Sequence, residues 1–463
     1  MFHNATNPYG RSRLMWIILL GLLVALTSPA GAQTKSAGAS PRPVLSLEEA
    51  VTTALRENRL VQNAALEVSK SGHLLAAART RRFPILEVMV FENWVLTPQN
   101  QNNENVFGGF ASILPISIPL SSTTPIKNRE PTAYVTGFLT QPLSQQYRIG
   151  LNISMRAVMQ EIAQEKLRAQ RQKTVSDVKR LYYGILLTQS QLETVEESIK
   201  FFRELDRLQG RYFQEKVVLQ SEPLEVKARL AQAEQERTTL KNNLATQKEQ
   251  LNDLLGRNIL TEFTVNPVPK ATALENDLEG ARTKALRQRP EIREARLMTK
   301  QAEYDRWIKQ AEFIPNVNFS LSYARSINLE PLPDNMAFAG FMLYWEIFDW
   351  GRKRRELAAK TETVAQTINT RRETESQVVI DVNTKFRNLQ STRGQLKTSR
   401  AFQLAGRAKL KEEMDKYKND TALLKDVLEA QTKLTEADSK YQKALSSFWT
   451  AKADFEKAIG EEK

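Results

Sequence analysis

Two periodicities divide the chain. In "NVNFSLSYA", Val317, Phe319, Leu321 and Tyr323 alternate with Asn318, Ser320 and Ser322, which predicts a strand with one apolar and one wet side. Ala339, Phe341, Leu343, Trp345 and Ile347 keep the same spacing and predict its partner. From Gly150 to about Lys216, by contrast, no proline occurs, and only Gly184 and Gly210 break a run dense in Gln, Glu, Arg, Lys, Leu and Ala. At 1.5 Å per residue this predicts a helix roughly 100 Å long. A globular domain cannot bury such a helix, so it is expected to lie antiparallel against a returning helix in coiled-coil fashion.

The pattern occurs twice. A shift of 231 places "LEEAVTTALREN" (Leu47 to Asn58) over "LEGARTKALRQR" (Leu278 to Arg289), and pairs Pro84 of "RRFPILEV" with Pro315 of "EFIPNVNF". Further on the best shift is 204, laying "LQSEPLEVKARLAQAE" over "LLKDVLEAQTKLTEAD" and Gly256 over Gly460. The difference of 27 residues is an insertion in the first repeat. It falls on Thr97 to Pro131, rich in Asn, Gln, Ser, Thr and Pro, which reads as a long loop. Its middle, "VFGGFASILPISIPL", suits either packing on a rim or an external loop. Each repeat thus runs helix, strand, loop, strand, very long helix, turn, returning helix. The first spans 33–270 and the second 271–463, both after a leader.

That leader is residues 1–32. Arg11 and Arg13 precede an apolar run from Leu14 to Leu26, and Ala30-Gly31-Ala32 fits a small-residue cleavage site, as in a secretory signal peptide. A retained anchor would need about 18 or more apolar residues. The absence of cysteine from all 463 residues removes disulfides, thiolate metal sites, a cysteine nucleophile and a lipidated N-terminal cysteine. The formal net charge is +13, but the cations are mixed with glutamates along the helical stretches. This reads as solvated helix surface rather than a nucleic-acid face. His73 stands on a helical pattern without a second candidate ligand, and no phosphate loop, nucleophile elbow or metal spacing appears. No enzyme, cofactor or metal is expected.

In "YWEIFDWGRKRRELAAK", Tyr344 to Lys360, an aromatic run ends at one glycine and four basic residues. Strands of about ten residues cross the hydrocarbon layer when tilted in a barrel. Aromatic side chains favour the interface, and charges are excluded from the layer. Tyr344, Trp345, Phe348 and Trp350 are therefore expected at an interfacial girdle, with Arg352 to Arg355 the first residues in water. Basic residues at a helix start oppose its dipole, so headgroups or water access are expected to explain them. Four strands cannot close a barrel, and an open edge in lipid leaves backbone groups unpaired. The chain is therefore expected to oligomerise, three copies giving twelve strands.

"LSLEEAVTTALRENRLVQNAALEV", the strand starts at Pro84 and Pro315, "FDWGRKRRELA" and "LLKDVLEAQTKL" together resemble the TolC-type outer membrane efflux proteins. The resemblance covers about Leu45 to Gly460. It implies a homotrimer with a twelve-stranded β-barrel in outer membrane lipid, continuous with a long α-helical coiled-coil barrel in the periplasm. It implies an exit duct for efflux or type I secretion, partnered by a periplasmic adaptor and an inner-membrane transporter, and gated at its helical tip. The pore-constriction positions it implies are Asp426, Glu429, Tyr417 and Glu222. Val217, Val218, Leu219, Ala422, Leu423 and Leu424 put apolar groups at the tips, for coiled-coil closure or adaptor docking. The tips depart from the family in lacking a turn glycine, and Ala422 stands where a latch arginine is known, with Lys425 a possible substitute. A competing reading is a periplasmic adaptor, whose single hairpin is flanked by other segments; two repeats with their own strand pairs speak against it.

Overall fold

In the computed structural model the described residues are 44–93, 132–214, 221–267, 277–327, 333–419 and 421–462. The expected signal peptide, the 97–131 loop and the tip residues Val217, Val218 and Leu219 lie outside them.

Elements recur at the two sequence offsets. Short helices α1 (Leu47–Glu57) and α2 (Arg59–Thr80) are followed by strands β2 (Ile85–Asn93) and β3 (Thr132–Pro142), the long helix α3 (Gln146–Gln214) and the returning helix α4 (Ser221–Leu254). The second repeat gives α5 (Leu278–Gln288), α6 (Pro290–Gln310), β5 (Asn316–Ile327), β6 (Asn335–Tyr344), α7 (Arg352–Lys418) and α8 (Leu424–Ala458). Two-residue strands β1 (Val44–Leu45) and β4 (Thr264–Val265) pair in parallel.

The single leading helix expected per repeat is in fact two, broken at equivalent residues by different chemistry. At Asn58 the side-chain Oδ1 accepts from the amides of Leu60 (2.9 Å) and Val61 (3.2 Å), while Nδ2 donates to the Leu254 carbonyl at 2.8 Å. Such a cap is worth about 1 kcal/mol. At the matching break Arg289 is followed by Pro290 in the first turn, where a missing N–H costs nothing. Its guanidinium bonds Glu291 and Asp381.

The helices α3 and α7, of 69 and 67 residues, run about 100 Å and pack against α4 and α8 as two hairpins, with α3 also against α8. Two cores hold them. One gathers the short helices α1, α5 and α6, the ends of α4 and α8 and the middles of α3 and α7 around Tyr182, Phe263, Phe448 and Ile292. Within it the Tyr182 hydroxyl lies 3.0 Å from both the Leu45 and Asn266 carbonyls, tying the β1–β4 pair to α3. The other core sits at the hairpin tips.

The remaining strands form one antiparallel sheet, ordered β2-β3-β5-β6. Register aligns Leu86, Leu139, Leu321 and Ala339 across one face. Val88, Val90, Val135, Phe319, Tyr323, Phe341 and Leu343 join them by the strand's two-residue period. The opposite face carries Thr136, Thr140, Asn318, Ser320 and Ser322. The alternation is as expected except at its end: β6 stops at Tyr344, so Trp345 and Ile347 do not extend it.

Candidate functional site

The sheet face, the strand-to-helix junction and the helical tip are the three places where chemistry is concentrated. Large apolar side chains on the sheet face remain open to solvent in the single chain, Phe341 at 75% and Leu86 at 71%. Among the described residues the outer strands β2 and β6 each have one unpaired edge. An exposed apolar face with two free edges is unstable in water and suits lipid on the face and further strands at the edges.

At the junction, Trp350 and Gly351 take left-handed backbone, with φ of 58° and 82°. Trp350 is 90% exposed, and its ring meets that of Phe348 at 4.8 Å. Tyr344 and Trp345 are likewise exposed, although the register puts Tyr344 on the sheet face of Asn318 and Ser320, opposite Leu343. The basic start of α7 has a local cause. The Asp349 carboxylate accepts from the amides of Gly351 (3.0 Å) and Lys353 (2.9 Å), capping the helix. Glu346 pairs with Arg352 at 2.9 Å and Lys353 at 3.2 Å. These acids offset the dipole conflict for half of the run; Arg354 and Arg355 stay exposed.

The tip core joins four helices: Val195, Ile199, Phe202 and Leu205 of α3, Val226 of α4, Tyr417 of α7, and Leu424, Val427 and Leu428 of α8. The expected site residues divide around it. Asp426 and Glu429 are exposed, three residues apart on one face of α8. Asp426 accepts from the Leu423 amide at 3.1 Å as a helix cap. Glu429 is bonded by Lys433 at 2.7 Å, and that contact holds its carboxyl below the usual range. Glu222, the repeat mate of Asp426, lies half-buried in the first turn of α4.

Tyr417 does not join this acidic face. It is buried within the chain, where its hydroxyl accepts from Gln209 Nε2 of α3 and its ring meets Tyr212 edge-on at 6.5 Å. Of the apolar tip residues, Leu424 is in the core and Ala422 packs on it, while Leu423 is 71% exposed. Leu224 of α4 is also 58% exposed, although its repeat mate Leu428 is buried, an asymmetry that sequence matching could not show.

Just above the tip core a polar layer crosses from α3 to α8. Gln431 donates to Ser198 Oγ and to Thr435 Oγ1, each at 3.3 Å, beside a cavity of about 420 Å³ bordered by α3, α4 and α8. Gln and Thr on a helical face read as surface in a sequence, so spacing alone does not reveal this layer. Among the described residues no group of histidine, cysteine and acidic side chains could hold a metal ion, and no helix is long and apolar enough to cross a membrane.

Comparison with known proteins gives a consistent result. The family model described as outer membrane efflux protein matches residues 50–257 and 281–461. Among solved structures, the fold is similar to the outer-membrane channel OprN, with a TM-score of 0.74, 16% identity and coverage of 89% of each chain. The outer membrane protein VceC of Vibrio cholerae gives 0.73 and 16%, covering 90% of this chain and 96% of that one. The Campylobacter jejuni CmeC outer membrane channel gives 0.76 and 15%, covering 89% and 85%. A search of curated protein sequences found no significant match.

Proposed function

The chain belongs to the outer membrane efflux protein family, and on that premise we propose that it is the outer-membrane exit duct of a tripartite efflux or type I secretion system, assembled from three copies. The observation that carries this is the four-stranded sheet with one exposed apolar face and two unpaired edges. Three such sheets joined β6 to β2 leave no edge in lipid and give a barrel of twelve strands, large enough for a passage. The long hairpins continue it as a helical tube into the periplasm.

Several assignments follow from this reading. Residues 1–32 direct export and 33–270 and 271–463 are the two structural repeats. Tyr344, Trp345, Phe348 and Trp350 form the girdle on the helical side of the membrane. Asp426 and Glu429, with Glu222, ring the narrow end of the tube, and Tyr417 acts one step behind them by holding α7 to α3. Leu423 and Leu224 are the exposed apolar groups to which a periplasmic adaptor would dock, itself attached to an inner-membrane transporter; Val217, Val218 and Leu219 belong to the same tip. The chain acts as a conduit and no catalytic step is assigned to it.

The test is the native mass of the detergent-extracted protein after fractionation of cell envelopes. Three copies in the outer-membrane fraction are expected. A detergent-independent monomer would remove the shared barrel and return the adaptor reading.

A further inference from the structure

The two repeats differ in charge at their strand-to-helix junctions, and the difference singles out a cavity. Where α2, β2, β3 and α3 meet, a cavity of about 510 Å³ is lined by Arg81, Arg148 and Arg156, with Leu74, Ile85 and Ile149 among its apolar walls, and by no carboxylate. None of the three arginines forms an ion pair among the described residues. Among the described residues the Arg148 guanidinium bonds the Gln145 side-chain oxygen, at 3.5 Å, and that of Arg156 the Met159 sulfur, at 3.9 Å.

The second repeat shows what such a place holds when it is self-sufficient. At the matching offsets Arg148 corresponds to Arg352 and Arg156 to Lys360, so both cations persist. Asn152 corresponds to Glu356, Leu74 to Asp305 and Arg81 to Glu312. In that repeat Glu356 pairs with Arg352 at 3.4 Å and Asp305 with Lys360 at 2.5 Å. Glu312 bonds Lys309 at 2.7 Å, which stands where the first repeat has Ala78. The first repeat has therefore kept two of these cations, has Ala78 in place of Lys309, and carries an amide, a leucine and a further arginine where the second repeat has three acids. Guanidinium groups stay charged at all working pH, and gathered without a counter-charge they repel one another. Glu312 and Glu346 share a second cavity with Arg148, but the first-repeat cavity itself offers an anion three cations and no competing carboxylate.

We propose that this cavity binds an anion with an apolar body, a phosphate or carboxylate headed amphiphile, whose head takes the place that Glu356 and Asp305 fill in the second repeat. The arginines supply bidentate, charge-assisted donors for the head, and Leu74, Ile85 and Ile149 receive the body. Ile85, Thr140 and Asn318 lie on the wet face of the sheet by its register. The cavity accordingly opens toward the passage, a placement that rests on the duct reading. A passing solute and the headgroup of a membrane lipid share this chemistry.

The full chain in detergent is titrated with hexyl phosphate by calorimetry, and the same probe is added to channels in planar bilayers. Native mass spectrometry of the extracted protein reads retained phospholipid or lipid A. The comparison variants are Arg148→Gln/Arg156→Gln, Asn152→Glu, which transplants the carboxylate of the second repeat, and Arg352→Gln as the control in that repeat. Loss of each charge-assisted contact is expected to weaken binding about tenfold in the first two variants and not in the control. Saturable hexyl phosphate binding with that pattern supports the site and a solute as its ligand. Lipid retained by the native chain and lost from both variants supports the site with lipid as the ligand. Equal behaviour of native and variant chains toward both, with trimers intact, overturns it. A chain that binds the probe yet forms no channel would remove the duct reading and leave the site standing.

Discussion

Gly256 and Gly460 occupy the same place in the two repeats: each follows the end of a returning helix in left-handed backbone, with φ of 70° and 87°, and each abuts the break between the short helices of its own repeat. A Cβ on Gly256 would lie 2.2 Å from the Glu57 carbonyl oxygen, whereas at Gly460 its nearest neighbours, among them the Arg289 amide, would be 3.2 Å away.

Substitution by alanine should therefore be unequal. Left-handed backbone alone costs about 1–2 kcal/mol for a residue with a Cβ, and at Gly460 the neighbouring backbone need in addition yield only by a few tenths of an ångström. Gly256→Ala adds a backbone collision that only movement of the α1–α2 break can relieve. Thermal unfolding followed by circular dichroism should show a clearly larger loss for Gly256→Ala. Equal losses would mean that the break is soft.

Asp454 gives a pH dependence in the helical part. Burial pushes its carboxyl up, but the hydrogen bond and charge of Lys385 at 2.9 Å and of Arg180 at 3.1 Å outweigh that and hold it below the usual range. A carboxylate whose pKa falls on folding contributes stability above its unfolded value, about 3.9, and loses it as pH drops through the folded value. Asp454→Asn should cost up to about 1 kcal/mol at pH 7, both cations being partly exposed, and the deficit should shrink as the pH falls through the folded value. A deficit that persists unchanged in acid would assign the effect to packing.

Much of this architecture was legible because duplication constrains it. The offsets of 231 and 204 aligned helices whose individual patterns are weak, and Pro84 and Pro315 marked both strand starts. Pro290 could have signalled the break between α5 and α6, and its alignment with Arg59 could have placed the break at Asn58. Trp345 and Ile347 misled by composition: they continue the alternation of Phe341 and Leu343, but β6 stops at Tyr344. The burial of Tyr417 depends on which face of α7 meets α3, which residue spacing on a long polar helix does not fix. The loss of acids in the first-repeat junction was written in the sequence, yet it acquires meaning only once the cavity is seen.

The acidic pair at the tip is tested through its neighbour. If Asp426 and Glu429 line the passage, replacing both with alanine should reduce cation selectivity, and Lys433→Ala should increase it by freeing the Glu429 carboxylate from its 2.7 Å partner. Reversal potentials in a salt gradient across planar bilayers give both signs. If neither variant moves the reversal potential, the two carboxylates serve only the helix surface and the α8 cap.

The contact behind them makes a sharper demand. Gln209 is fully buried, its Nε2 donates to the Tyr417 hydroxyl, and its Oε1 finds no partner among the described residues. Tyr417→Phe leaves that donor buried and unpaired, at a cost of about 1–3 kcal/mol. Replacing both members by apolar groups removes the stranded donor, so Tyr417→Phe/Gln209→Leu should recover most of the loss. The two substitutions are therefore expected to be non-additive in thermal unfolding. Because the contact joins α7 to α3 at the tip, Tyr417→Phe should also raise the open probability of the channel, and so should the double variant, which lacks the same contact. Additive unfolding with an unchanged open probability would show that this tyrosine fills space and holds nothing shut.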